Sequence, residues 1–159
     1  MSDKKTVVFI CTANYYRSRF CEYFFNHLAK KAGLAWRATS RGLRSWMAHN
    51  EGPISRYTVE RLTAMNVPHD AARFPIQLAQ ADLETADLVI AVKRGEHHAM
   101  MMEQFPASAE KIQYWHIDDL DCATADESLP LCQSSVESLV LRLLAEQDQK
   151  APARRRQVA

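Results

Sequence analysis

The chain opens on an unbroken apolar run, Thr6-Val7-Val8-Phe9-Ile10-Cys11. Its β-branched and aromatic residues, without polar alternation, predict a strand buried on both faces. Thr12 and Asn14 then interrupt the run as turn formers. From about Ser18 the period changes. Cys21, Phe24, Phe25, Leu28, Ala29 and Ala32 fall at i, i+3, i+4, i+7, i+8 and i+11, the stripe of a helix laid on a sheet, and Gly33 supplies a stop. Ala35 to Ser40 predicts a second strand and Arg41 to Pro53 a loop. A helix follows from Ser55 to Met65, with Val59, Leu62 and Met65 on one side. Ala86 to Val92 predicts another central strand, Gly95 to Gln104 a helix, Lys111 to Ile117 a strand, and Gln133 to Gln147 a last helix.

Strands alternating with helices imply an α/β fold, a parallel sheet with helices on both faces. The expected architecture is a single-domain three-layer α/β/α sandwich around a central, mostly four-stranded parallel sheet. The domain is placed at residues 1–148. Residues 149–159, with Pro152, Arg154, Arg155 and Arg156 and little apolar content, predict a disordered basic tail.

Charge narrows the function. Twenty Lys and Arg against nineteen Asp and Glu leave a formal net charge of +1, which removes the basic footprint of a general nucleic-acid binder. No apolar run is long enough to span a bilayer, and the stretch after Lys4 and Lys5 is too short for a signal-peptide core. A cytoplasmic protein without nucleic-acid or membrane partners is expected. The four cysteines, Cys11, Cys21, Cys122 and Cys132, form no C-x-x-C and match no zinc spacing, so four thiols are expected. Adjacent His97 and His98 point apart on a helix, unlike the i, i+4 pair of a zinc site.

The chemistry sits where the first strand meets the first helix, in Cys11-Thr12-Ala13-Asn14-Tyr15-Tyr16-Arg17-Ser18. Ligands of open parallel sheets bind beyond the carboxyl ends of the strands. A loop curling into a helix N-terminus aims several N–H groups and the positive end of the helix dipole at one point, and a thiol at the base of such a cradle is favoured as thiolate. Arg17 can return to the mouth and hold two oxygens of an oxyanion in its fork, while Ser18 can donate its hydroxyl to the thiolate. The loop has no glycine, which excludes a phosphate loop of the Walker type and a dinucleotide fingerprint at this position. Asn14 is the residue suited to a left-handed conformation.

These residues resemble the low-molecular-weight protein tyrosine phosphatases, whose hallmark is C-x5-R-S after the first strand. Ser40-Arg41-Gly42 is similar to the family's S-A-G, Ala86-Asp87-Leu88-Val89-Ile90-Ala91 to its A-D-L-I-L-A strand, and Trp46 falls where an aromatic pocket wall is common. The resemblance covers about residues 5–147. It implies hydrolysis of phosphotyrosine in protein, or of another aryl phosphate, through a phosphocysteine on Cys11, with no metal and no cofactor. It also implies that Asn14 and Ser40 fix the loop and that Trp46, with Tyr15, flanks the aromatic ring. The family's general acid, an Asp before Pro, corresponds to Trp115-His116-Ile117-Asp118-Asp119-Leu120-Asp121. Register from Ile117 selects Asp119, with Asp118 and Asp121 as rivals.

The chain departs from the family at several positions. Ala13 replaces a glycine, so the loop requires a negative φ there. Tyr16 replaces the loop's second cysteine, and with Tyr15 is expected to reshape the pocket mouth. Arg19 replaces a frequent proline and Lys93 an acid. Both add positive charge, read either as recognition of a more anionic substrate or as solvated surface residues. Two other classes share the Cys loop. Arsenate reductases of similar fold need two further cysteines near residues 82–89, where this chain has none; a non-catalytic phospho-binding module would account for the missing Asp-Pro.

Overall fold

The computed structural model describes the backbone of residues 3–158 and the side chains of residues 3–150. Strand β1 (Lys5–Cys11) lies inside a four-stranded sheet of order β2-β1-β3-β4, with β2 (Trp36–Gly42), β3 (Leu88–Ala91) and β4 (Gln113–Tyr114). Every pairing between these strands is parallel.

The unbroken apolarity of β1 follows from its position. Val7 and Phe9 belong to one core, shared with helices α1 (Arg17–Ala32) and α5 (Ala125–Val158) through Phe25, Leu129, Val136 and Val140. Val8 and Ile10 belong to a second core, with Leu43, Leu78, Val89 and Met101, the last on α4 (Arg94–Gln104). Successive strand side chains point to opposite faces, so a strand covered on both sides has no place for a polar residue. The Phe9 ring meets Phe25 at 6.0 Å and Trp115 at 5.6 Å. Each such side chain, fully buried, contributes about 1.5–3 kcal/mol relative to exposure. Cys21 and Cys132 are both fully buried in the first core and behave as small hydrophobes.

The first helix ends as its sequence predicts, at Gly33 with φ 68° and its N–H on the Ala29 carbonyl. Helix α2 (Arg56–Ala64) also falls where expected, and a 3-10 turn, Ser45–Ala48, lies within the predicted 41–53 loop. Other boundaries move for local reasons. Strand β3 begins later than Ala86 because α3 (Gln80–Thr85) fills the preceding stretch, its start closed by the Asp82 carboxylate accepting the Ala79 N–H at 2.9 Å. Strand β4 is short, yet the N–H groups of Trp115 and Ile117 reach the carbonyls of Ala91 and Val92 at 2.8 Å each, so the chain follows β3 as far as Ile117. Helix α5 starts at Ala125 instead of near Gln133. Glu127 accepts both the Thr124 hydroxyl at 2.9 Å and the Thr124 N–H at 3.3 Å, a capping arrangement that begins the helix before its apolar stripe. The backbone of α5 continues past Gln149, the start of the expected tail, and the side chains from Ala151 onward, Arg154–Arg156 included, lie outside the described residues. Among the described residues, no helix is long and apolar enough to cross a membrane.

After β1 the chain pairs β2 on one side and later returns to place β3 on the other. The carboxyl end of β1 is therefore the switch point of the sheet, where open parallel folds bind ligands.

Candidate active site

Residues 12–16 join β1 to α1, and their polar groups are divided in a telling way. The carbonyls are engaged: Cys11 accepts from Leu43 N–H at 3.0 Å, Thr12 from Arg44 at 2.7 Å, Tyr15 from Ser55 at 2.9 Å and Tyr16 from Phe20 at 3.1 Å. The N–H groups of Thr12, Ala13, Asn14, Tyr15 and Tyr16 find no acceptor among the described residues. Most of the loop's oxygens are thus engaged by the surrounding chain, while its donors are left for an oxyanion.

Asn14 holds that shape. It has φ 53°, a left-handed conformation that asparagine tolerates. Its Nδ2 donates to Ser18 Oγ and Ser40 Oγ at 2.9 Å each, and its Oδ1 accepts the Ile76 N–H at 2.9 Å. Since Ser18 Oγ accepts from Asn14, its own proton is free to point at Cys11 Sγ, 2.9 Å away. Ser40 likewise accepts from Asn14 and donates to Glu22 Oε1 at 2.6 Å, and Glu22 is clamped by Arg73 NH1 at 2.9 and 3.0 Å. Ala13 has no positive φ, so its methyl group introduces no backbone strain. Gly42 explains the third residue of Ser40-Arg41-Gly42: a Cβ there would lie 2.9 Å from Asn14 N and 2.9 Å from Thr12 O.

Arg17 is 1% exposed and faces the same place. Its NH1 donates to the Ile117 carbonyl at 2.9 Å, and its NH2 lies 2.7 Å from Glu96 Oε2 and 3.3 Å from Asp119 Oδ2. Burial works against its charge, but Cys11, Asp119 and Glu96 outweigh burial and push its pKa up. Glu96 shows the converse balance. Burial opposes its ionisation, yet His97, Arg17 and Thr12 hold it far below the usual carboxylate range. The Lys93 N–H donates to His97 Nδ1 at 3.1 Å, which places the ring proton on Nε2. That N–H donates to Glu96 Oε2 at 2.8 Å and approaches Thr12 Oγ1 at 3.1 Å. Burial, first, and the Arg17 charge keep the His97 pKa below its ordinary value, against the pull of Glu96.

The three acids after Ile117 are separated by geometry. Asp119 reaches Arg17. Asp118 pairs with Lys93 Nζ at 2.7 Å, and its carbonyl accepts the Ser128 hydroxyl at 2.8 Å, which ties the acid loop to the start of α5. Asp121 makes no ion pair among the described residues. The loop itself is a tight turn in which the Asp119 carbonyl accepts from Cys122 and Ala123 at 3.0 Å each.

Several expectations change here. Tyr16 does not shape the mouth. It packs into the first core at 5% exposure with its hydroxyl unsatisfied, and burial, then Cys132 and Asp119, push its pKa up to about 12. Tyr15 is partly exposed and donates its hydroxyl to the Glu51 carbonyl at 2.9 Å. Trp46 stands on the 3-10 turn at 61% exposure. Arg19 is no surface residue, being fully buried, and Lys93 is occupied by Asp118. Where the family places an acid at Lys93, this chain supplies one from Glu96, nearly one helical turn on. Sequence reasoning missed Glu96, His97, Glu22 and Arg73. Of these only Glu22 carried a signal, lying four residues after Ser18 on the same helical face.

The family model for low molecular weight phosphotyrosine protein phosphatase matches residues 6–146. A protein-arginine-phosphatase of Bacillus subtilis (strain 168) is 28% identical over 106 residues, 67% of each chain. The crystal structure of a low molecular weight protein tyrosine phosphatase from T. tengcongensis superposes with a TM-score of 0.73 at 26% identity, covering 87% of this chain and 99% of that one. SP-PTP, the corresponding protein from Streptococcus pyogenes, gives a TM-score of 0.77 at 18% identity over 92% of this chain and 97% of that one. With the family model spanning nearly all of the described fold, the chain belongs to the low molecular weight phosphotyrosine protein phosphatase family.

Proposed function

We propose that this phosphatase hydrolyses aryl phosphate monoesters, protein phosphotyrosine in particular, through a phosphocysteine on Cys11. The observation that carries this reading is the run of N–H groups of residues 12–16 without an acceptor among the described residues, in the loop that follows a Cys11 sulfur facing the Ser18 hydroxyl at 2.9 Å. The donors and Arg17 bind the non-bridging oxygens and stay in place as the phosphoryl group becomes planar in a largely dissociative transition state. The Cys11 thiolate forms the S–P bond as the P–O bond to the phenol breaks. Asp119 supplies the proton to the departing oxygen, since a phenolate with an intrinsic pKa near 10 leaves about 10²–10⁴ times faster when protonated. Water then attacks phosphorus, the S–P bond breaks, and the Asp119 carboxylate takes the water's proton.

Asp119 rests on Arg17 at 3.3 Å. A phosphoryl oxygen entering the cradle replaces it there and frees the carboxyl to face the leaving group. Trp46, exposed beside the end of β2, and Tyr15 supply aromatic surface for the substrate ring.

A second reading, hydrolysis of phosphoarginine, has one observation behind it, the 28% identical arginine phosphatase. Paired assays on a phosphotyrosine peptide and a phosphoarginine peptide of otherwise identical sequence, in chelator, separate the two. We expect higher kcat/KM on phosphotyrosine and no turnover of either by Cys11→Ser. Preference for phosphoarginine would overturn the aryl assignment, and retained turnover by Cys11→Ser would overturn the mechanism.

A further inference from the structure

Three cations surround the Cys11 loop, and they are neutralised unequally. Arg17 faces Glu96 and Asp119, and Arg73 faces Glu22. Arg19, at 0% exposure, faces no carboxylate among the described residues. Its guanidinium donates to neutral oxygens instead. NH1 reaches the Pro53 carbonyl at 2.9 Å and the Asn14 carbonyl at 3.4 Å; NH2 reaches the Arg73 carbonyl at 2.9 Å, the Tyr23 hydroxyl at 3.0 Å and the Asp70 carbonyl at 3.3 Å. Nε has no acceptor, and the Tyr23 ring centroid lies 5.5 Å from the guanidinium carbon.

Neutral oxygens and the Tyr23 ring hold the guanidinium, but no full negative charge balances it. Water is excluded, so the charge has lost its hydration. Arg19 lies in the first turn of α1, which contains no acid and where the helix dipole is already positive. Arg17 adds a like charge two residues earlier. The Asn14 carbonyl that Arg19 approaches belongs to the loop whose N–H groups have no acceptor among the described residues, and an anion held by that loop is the counter-charge that the described residues do not provide.

We propose that Arg19 is a positioning residue for the phosphoryl dianion, fixing the Cys11 loop through the Asn14 carbonyl and favouring the bound dianion with its unneutralised charge. This inference rests on the reading of the loop as a phosphoryl site. The same fork fastens the turn at Pro53 and the segment 70–73 to the loop.

The test is the inhibition constant of inorganic phosphate against p-nitrophenyl phosphate turnover, in wild type, Arg19→Met and Arg19→Lys. Arg19→Met is expected to weaken phosphate binding about tenfold, the scale of losing one unit charge near a partly screened dianion. Arg19→Lys keeps the charge with fewer donors and is expected to stay within about threefold of wild type, a rescue that a purely structural role would not give. Unchanged phosphate binding in Arg19→Met, or equal weakening in both variants, overturns the proposal. Should Arg19→Met not fold, side-chain nitrogen NMR of the wild type decides. Arg19 resonances that move as phosphate is added support the proposal; Arg19 resonances that stay still while the loop amides move overturn it. Wild type indifferent to phosphate would overturn the phosphoryl-site reading itself, and this inference with it.

Discussion

Glu96 Oε2 lies 2.7 Å from Arg17 NH2, and the same oxygen accepts His97 Nε2–H at 2.8 Å and the Thr12 hydroxyl. One carboxylate oxygen therefore binds the Cys11 loop, the first helix and α4 together. It orients the Arg17 fork, and it also puts a negative charge beside the site proposed for the dianion. Glu96→Gln separates these effects. Its kcat is expected to fall about tenfold as Arg17 loses its fixed geometry. Its inhibition constant for phosphate is expected to fall as well, meaning tighter binding, because a repelling charge is gone. Steady-state kinetics with phosphate inhibition reads both.

The same pair predicts a pH dependence of stability. Glu96 titrates below its ordinary value of 4.5 in the fold, held down by His97, Arg17 and Thr12 against its burial. The unfolded chain therefore binds this proton at higher pH than the native protein does, so the stabilisation is fully present above 4.5 and is lost as pH falls toward the native value. Thermal melts of wild type and Glu96→Gln are expected to differ most above that pH and to converge below it. A difference independent of pH would show that Glu96 contributes by packing alone.

Gly42 is where the end of β2 touches the Cys11 loop. The contacts that a Cβ would make, at 2.9 Å, are to backbone atoms of Asn14 and Thr12, which cannot rotate away. Gly42→Ala is expected to cost about 1–3 kcal/mol in denaturant unfolding and to lower kcat/KM by more than an order of magnitude, because the displaced atoms belong to the cradle.

Asn14 combines a left-handed φ of 53° with three hydrogen bonds. Asn14→Gly keeps the conformation and loses the bonds; Asn14→Ala loses both. Glycine is expected to cost about 1–3 kcal/mol for the unsatisfied partners, and alanine about 1 kcal/mol more for the strained backbone. Equal costs would show that the conformation contributes nothing.

Ser128 donates to the Asp118 carbonyl at 2.8 Å and so sets where the acid loop lies relative to Arg17. Ser128→Ala is expected to slow hydrolysis of phenyl phosphate several-fold more than hydrolysis of p-nitrophenyl phosphate, since only the poorer leaving group depends on a well-placed proton donor. A leaving-group-independent loss would indicate damage to the cradle instead.

How much of this was legible beforehand follows from the range of each interaction. β1, α1 and the loop between them are encoded by neighbouring residues, from the apolar run to Gly33, and their bounds needed little correction. The left-handed Asn14 followed from residue type, and the part of Asn14 and Ser40 in fixing the loop from the family resemblance. Glu96 and His97 did not, because their partners Thr12 and Arg17 are remote in sequence and nothing in the local pattern of α4 marks its inner turn. Of the two readings of Arg19, the solvated surface residue fails for a related reason: the five neutral oxygens that hold it in the interior come from Asn14, Tyr23, Pro53, Asp70 and Arg73, most of them remote in sequence. The early start of α5 is encoded in the Thr124–Glu127 cap, whereas the regular apolar stripe of the helix begins only near Val136.

The central claim is that Cys11 carries the phosphoryl group. Its most direct test is mass spectrometry of Asp119→Asn quenched in acid during p-nitrophenyl phosphate turnover. p-Nitrophenolate leaves without help, so the first step survives the substitution, while water attack loses its base and the intermediate builds up. The account predicts a phosphorylated peptide containing Cys11, absent when Cys11→Ala is added. Turnover with no phosphate on Cys11, or phosphate on another residue, would contradict it.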